Sequence, residues 1–168
     1  MRKNKKLVIV SGLPRSGTSL MMNILSSTFK PIVDNKRKNN EDNPKGYFEH
    51  EKIKKLNEDN KWLLDEEGDL VKVISRLLIH IPDLFECKII FMRRNINEIM
   101  ESQKKMLIRK NISPPDDFDN LKEIFEKHLR EIKFYMKSKK NMSFIEINFS
   151  DLVLNPLSQS EIIANFLK

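Results

Sequence analysis

Cysteine is almost missing from this chain. Cys87 is the single one in 168 residues, so no internal disulfide and no thiolate cluster can form, and a reducing, cytoplasmic setting is expected. Histidine is scarce as well. His50, His80 and His128 stand far apart, without metal-ligand spacing, and no metal is expected. No apolar run approaches the roughly 20 residues that cross a bilayer. Behind the basic stretch Met1 to Lys6, the apolar segment Leu7 to Val10 is too short for a secretory leader and reads as a buried strand. No transmembrane segment is therefore expected. Hydrophobic residues make up 39% and charged residues 33%, which suits one soluble globular domain over residues 1–168. The net charge of +7 favours anionic partners, but basic residues alternate with acids and no aromatic–basic platform for bases exists. A pocket for a multiply phosphorylated small molecule suits this field better than nucleic acid does.

Along the chain, strands alternate with helices. Lys6 to Ser11 is an apolar run ending at Gly12, as in a buried parallel strand. Leu20, Ile24 and Leu25 place a helix over 18–28. A loop from 30 to 45 follows, and Ile53, Leu56 and Leu64 predict a helix from His50 to Leu64. Second and third strands are predicted at Asp69–Ser75 and Cys87–Met92, the latter opening onto Arg93-Arg94-Asn95. A helix with Ile96, Ile99, Met100, Met106 and Leu107 comes next. Beyond Pro114-Pro115, a long helix from Asp116 to about Lys137 carries a stripe of Leu121, Ile124, Phe125, Leu129, Ile132 and Tyr135. A fourth strand, Ser143–Phe149, and a helix, Leu157–Leu167, complete the order. The implied fold is α/β: a three-layer sandwich with a mainly parallel sheet flanked by helices. Ligands of such sheets bind beyond the carboxyl ends of the strands.

One of those ends carries Gly12-Leu-Pro-Arg-Ser-Gly17-Thr18-Ser19. This has the glycine spacing of a Walker A phosphate loop, with Thr18 in the lysine position. The two glycines permit a turn that aims successive N–H groups at phosphate oxygens, and the following helix adds its N-terminal dipole. Arg15 replaces the missing cation; Ser16, Thr18 and Ser19 offer hydroxyls. An ordinary glycine turn is the plain competitor, but strand, helix, arginine and hydroxyls agree on phosphate. Nucleotide hydrolases also want an acid at a neighbouring strand end to hold Mg²⁺. Here those ends carry Ser75 and Arg93-Arg94, so metal-assisted hydrolysis is disfavoured.

The loop GLPRSGTS resembles the 5′-phosphosulfate loop of the sulfotransferases that use 3′-phosphoadenosine 5′-phosphosulfate. In that family a strand ends in Arg-Asn, and a serine eight residues after the arginine helps to hold the 3′-phosphate. Arg94-Asn95 and Ser102 reproduce that spacing. Asn43 to Glu49 with Lys55-Leu-Asn57 is similar to a stretch of bacterial members, as is the tail Asn148 to Pro156 with Phe166-Leu167. The resemblance spans about residues 7 to 167. It implies a P-loop fold and transfer of a sulfuryl group to a hydroxyl or amine. Two departures stand out. Cytosolic members place a catalytic histidine just after strand two, where this chain has Ser75. Their basic, glycine-containing loop near the C-terminus has no counterpart before Lys168.

The site implied by the resemblance is Arg15, Ser16, Gly17, Thr18, Ser19, Arg94 and Ser102 around the nucleotide, with Arg15 also neutralising the leaving phosphate. Arg93 replaces Arg94 if the register slips by one. Glu49 is the first choice for the base that takes the acceptor's proton, and His50 the second. A first-turn helix acid is the plain alternative for Glu49. Lys72 is assigned to neither cleft nor surface. Tyr47, Phe48 and Trp62 are read as core more than as an acceptor pocket, and His80 and His128 carry no functional reading. Two other functions stay open: a P-loop protein that binds nucleotide without transfer, and a small-molecule kinase. The acceptor's identity is not readable.

Overall fold

Four short segments rich in apolar residues form strands, and all four run parallel. The computed structural model describes residues 5–34, 48–114 and 118–168. Strands β1 (Lys5–Gly12), β2 (Leu70–Ile74), β3 (Phe85–Arg93) and β4 (Met142–Asn148) form one sheet in the order β2-β1-β3-β4. Central β1 and β3 are buried on both faces, which explains their unbroken hydrophobic runs. Alternate residues divide between two cores. Leu7 and Ile9 of β1 join Ile89 and Phe91 of β3 on one face; Val8 and Val10 join Ile90 and Met92 on the other.

Helices cover both faces, as the alternation of strands and helices predicts. Helix α1 (Thr18–Leu25) and the C-terminal helices α4 (Phe149–Leu154) and α5 (Pro156–Leu167) supply Met21, Met22, Leu152 and Ile163 to one core. Helices α2 (Ile96–Arg109) and α3 (Leu121–Ser138) supply Ile99, Leu129, Ile132 and Met136 to the other. Truncating a fully buried residue such as Ile9 to alanine costs about 2–5 kcal/mol, because the surrounding chains cannot close the cavity. The edge of β2 is covered by the chain itself: Ile32 N–H donates to Leu70 O at 2.8 Å, and Pro31 bridges to Leu70.

Three expected boundaries change. The helix over 50–64 is instead two 3-10 turns, Glu51–Lys55 and Lys61–Leu64. Between them Asp59 Oδ1 accepts from Lys61 N–H at 3.0 Å and Asn60 Nδ2 donates to His80 O at 2.8 Å, so polar side chains compete for the backbone and interrupt the helix. Helix α3 starts at Leu121, after a 3-10 turn at Phe118–Asn120; Pro115, Asp116 and Asp117 lie outside the described residues. Its stripe is only partly core, since Ile124 is 52% exposed. The C-terminal segment holds two helices. Asn148 ends β4 one residue before the expected Phe149 and accepts from Ser150 N–H at 2.9 Å, a cap that starts α4 at Phe149 itself.

Candidate functional site

The ladder brings the strand ends to one level. Gly12 pairs with Ile74 on one side and Met92 on the other, so the glycine loop, Ser75 and Arg93-Arg94 emerge together. Gly12 has φ 151°, and a Cβ there would stand 2.7 Å from Met92 O and 2.6 Å from Ser16 Oγ. Gly17 has φ 97° and caps α1 without a side-chain hydrogen bond; a Cβ there would meet the Phe149 ring at 2.5 Å. Arg15 also takes a left-handed φ, 68°, between them. Only this tight backbone lets the loop turn into the helix. Buried Ser16 fastens it by donating to Leu13 O at 2.7 Å, so this hydroxyl braces the loop and does not line the cleft.

Over the loop lies a cleft of about 470 Å³ lined by Arg15, Gly17, Thr18, Ser19, Glu49, Lys72, Arg94 and Phe149, with Gln103 and Met106 from α2 and Lys110 just beyond its end. Two distant sequence segments meet at the loop, although Ser102, like Ser16, is not among the residues that line the cleft. Arg15 Nε donates to Ser102 Oγ at 3.0 Å, and Arg94 Nη1 donates to Arg15 O at 3.2 Å. Arg94 also pairs with Glu98 at 2.9 Å and lies over the Phe149 ring, 4.5 Å from its centroid. Asn95 has a different task from its neighbour: its side chain accepts from Asn97 N–H and caps α2. Arg93 turns away, 3.7 Å from Glu146, which settles the register in favour of Arg94 as the cleft residue.

Of the two expected bases, Glu49 is in the cleft wall and His50 is not. His50 accepts from Lys52 N–H at 3.2 Å, stacks on Trp62 at 4.6 Å, and lies outside the lining. Trp62 packs against the core, as does Phe48, whereas Tyr47 lies outside the described residues with residues 43–46 of the same stretch.

Lys72 and Phe149 are among the cleft residues that the sequence reading left unassigned. Lys72 is 8% exposed in the middle of β2, where Nζ donates to Ser19 Oγ at 3.1 Å and pairs with Glu49 Oε1 at 3.3 Å. Its signal was a lysine inside the apolar run LVKVI, since a buried ammonium demands partners. Phe149 had no local signal; its place follows from the Asn148 cap. The cleft thus gathers the side chains of Arg15, Lys72, Arg94 and Lys110 against one carboxylate, Glu49, among its lining residues. Such a gathering of positive charge favours anions over cations. No protein-family model matches the chain, and no curated protein matches it.

Proposed function

We propose that this protein binds 3′-phosphoadenosine 5′-phosphosulfate in the cationic cleft and transfers its sulfuryl group to a hydroxyl or amine acceptor. The observation that carries the proposal is the hydrogen-bonded convergence of Arg15, Ser102 and Arg94, residues up to 87 positions apart, beside a glycine loop. The residues fit such a ligand: the glycines leave no room for side chains, and the cleft holds several cations. In this reading Gly17, Thr18 and Ser19 at the start of α1 hold the 5′-phosphate side, with the helix N-terminus adding its partial positive charge. Arg15 and Lys72 offset the negative charge that grows as the leaving phosphate departs. Arg94 and Ser102 hold the 3′-phosphate. Glu49 keeps Lys72 against Ser19 and, of the two expected bases, is the one that stands in the wall of this cleft. His50, bound to the Lys52 N–H, is the weaker candidate. A single buried thiol and no helix long and apolar enough to cross a membrane among the described residues accord with a cytoplasmic enzyme.

Calorimetric titration with adenosine 3′,5′-bisphosphate, ADP and ATP tests the proposal. The 3′-phosphorylated ligand should bind tightest, and Arg94→Ala should erase that preference. Tighter binding of ATP, or no binding at all, sinks it.

A further inference from the structure

A second cleft, of about 700 Å³, opens beyond Pro14 and Ile74, which line both clefts. Its walls are more apolar than those of the first: Leu13 comes from the loop, and Ile124 and Phe125 from the first turns of α3, while the charged Arg76, Lys127 and Glu131 also line it. In it stands Ser75, whose Oγ lies 2.8 Å from His128 Nε2. Ser75 directly follows Ile74, the β2 residue paired with Gly12, so its hydroxyl emerges one residue past the first glycine of the loop. Burial pushes the His128 imidazole below the usual histidine range, against an opposing pull from Glu131 one turn away, and so keeps it neutral near pH 7. In the tautomer that leaves Nε2 without a proton, the Ser75 hydroxyl donates to it, and such a pair is able to pass on a proton. In-line transfer also needs the incoming and leaving groups on opposite sides of the reacting atom, and two clefts meeting at Pro14 supply two such sides.

We infer that the apolar cleft holds the acceptor, an alcohol or phenol on an apolar body, and that Ser75 and His128 take its proton. The inference rests on the transfer reading above. The acceptor hydroxyl gives its proton to Ser75 Oγ as the Ser75 proton passes to His128 Nε2. The acceptor oxygen bonds to sulfur, the bond from sulfur to the 5′-phosphate oxygen breaks, and its electron pair leaves with adenosine 3′,5′-bisphosphate. The proton therefore ends on His128 and not on Glu49, which stays paired with Lys72.

The test uses 2-naphthol and 1-octanol as probes. With three histidines in the chain, the His128 ring signals are assigned in NMR spectra by their loss in His128→Gln. At least one probe should shift those signals and leave His50 and His80 unmoved. Ile124→Glu, at an exposed position of the wall, should weaken that probe at least tenfold while adenosine 3′,5′-bisphosphate binds within twofold of wild type. Turnover of the bound alcohol with 3′-phosphoadenosine 5′-phosphosulfate should fall about 100-fold in His128→Gln and about tenfold in Ser75→Ala, with bisphosphate affinity kept. Probe shifts elsewhere, no shift with either probe, or wild-type turnover in His128→Gln overturns the inference and leaves the nucleotide reading standing. A wild type that binds a probe at His128 but no bisphosphate overturns the transfer reading and the proton's destination together.

Discussion

Pro14 separates two clefts built by opposite physical means. On one side, Arg15, Lys72 and Arg94 are held by Ser102, Glu49 and Glu98, so charge is fixed in place by charge and hydrogen bonds. On the other, Leu13, Ile124 and Phe125 line a half-open cleft beside a hydroxyl–imidazole pair, with Arg76, Lys127 and Glu131 also in its wall. The first is organised to meet a charged ligand without rearranging its dipoles; the second gives a half-buried imidazole surroundings that disfavour its charged form. Their common wall is the loop, so one backbone serves both.

Variants that affect both clefts test this contrast hardest. Gly12→Ala forces a left-handed residue against Met92 O, which a backbone atom cannot relieve, and should cost about 3 kcal/mol in urea unfolding while weakening ligands of both clefts. A charge stranded in the polar cleft comes next. Glu49→Leu leaves buried Lys72 without its carboxylate and should cost about 3 kcal/mol; adding Lys72→Met should restore most of that stability, since an apolar pair of similar volume no longer pays desolvation. A double mutant as unstable as the single one breaks the reading of this pair.

Smaller effects sharpen the contrast. Arg94→Ala removes charge-assisted hydrogen bonds worth about 2 kcal/mol, so calorimetry should show adenosine 3′,5′-bisphosphate binding about 30-fold weaker, with 2-naphthol unaffected. Smallest is a pH effect from the apolar side. The folded-state pKa of His128 lies below its unfolded value, so the folded state binds fewer protons. Its contribution is complete above the unfolded pKa near 6.5 and fades as pH falls through that value toward the folded one. Wild type should therefore lose more urea stability than His128→Gln between pH 7.5 and pH 5.5, and equal losses contradict a half-buried imidazole held below its usual range. The lone thiol supplies a control for global folding. Burial pushes Cys87 up to about 12, so a thiol reagent should react only when the protein unfolds.

The fold was legible because its signals are local and continuous. The run from Leu7 to Val10 has no polar break, Gly12 stops it, and the helix after Gly17 has its own periodicity. The resemblance singled out Arg94 and Ser102; the structure puts Arg94 in the cleft wall and its rival Arg93 beside Glu146. The segment 50–64 misled because its apolar spacing is helical while Asp59 and Asn60 bond elsewhere. His128 was passed over for a simple reason: nothing within α3 distinguishes it from a surface histidine.

What the sequence alone determined was each strand and its capping or turning residues, since these depend on neighbours a few positions away. The parallel sheet follows from their alternation with helices. Tertiary structure alone decided the partners of side chains that cross between segments. Lys72 finds Glu49 across 23 positions, Ser75 finds His128 across 53, and Phe149 packs on Gly17 and Arg94 from the far end of the chain. Such pairings arise from how strands stack and helices dock, and no local pattern encodes the distance between two residues that only the sheet brings together.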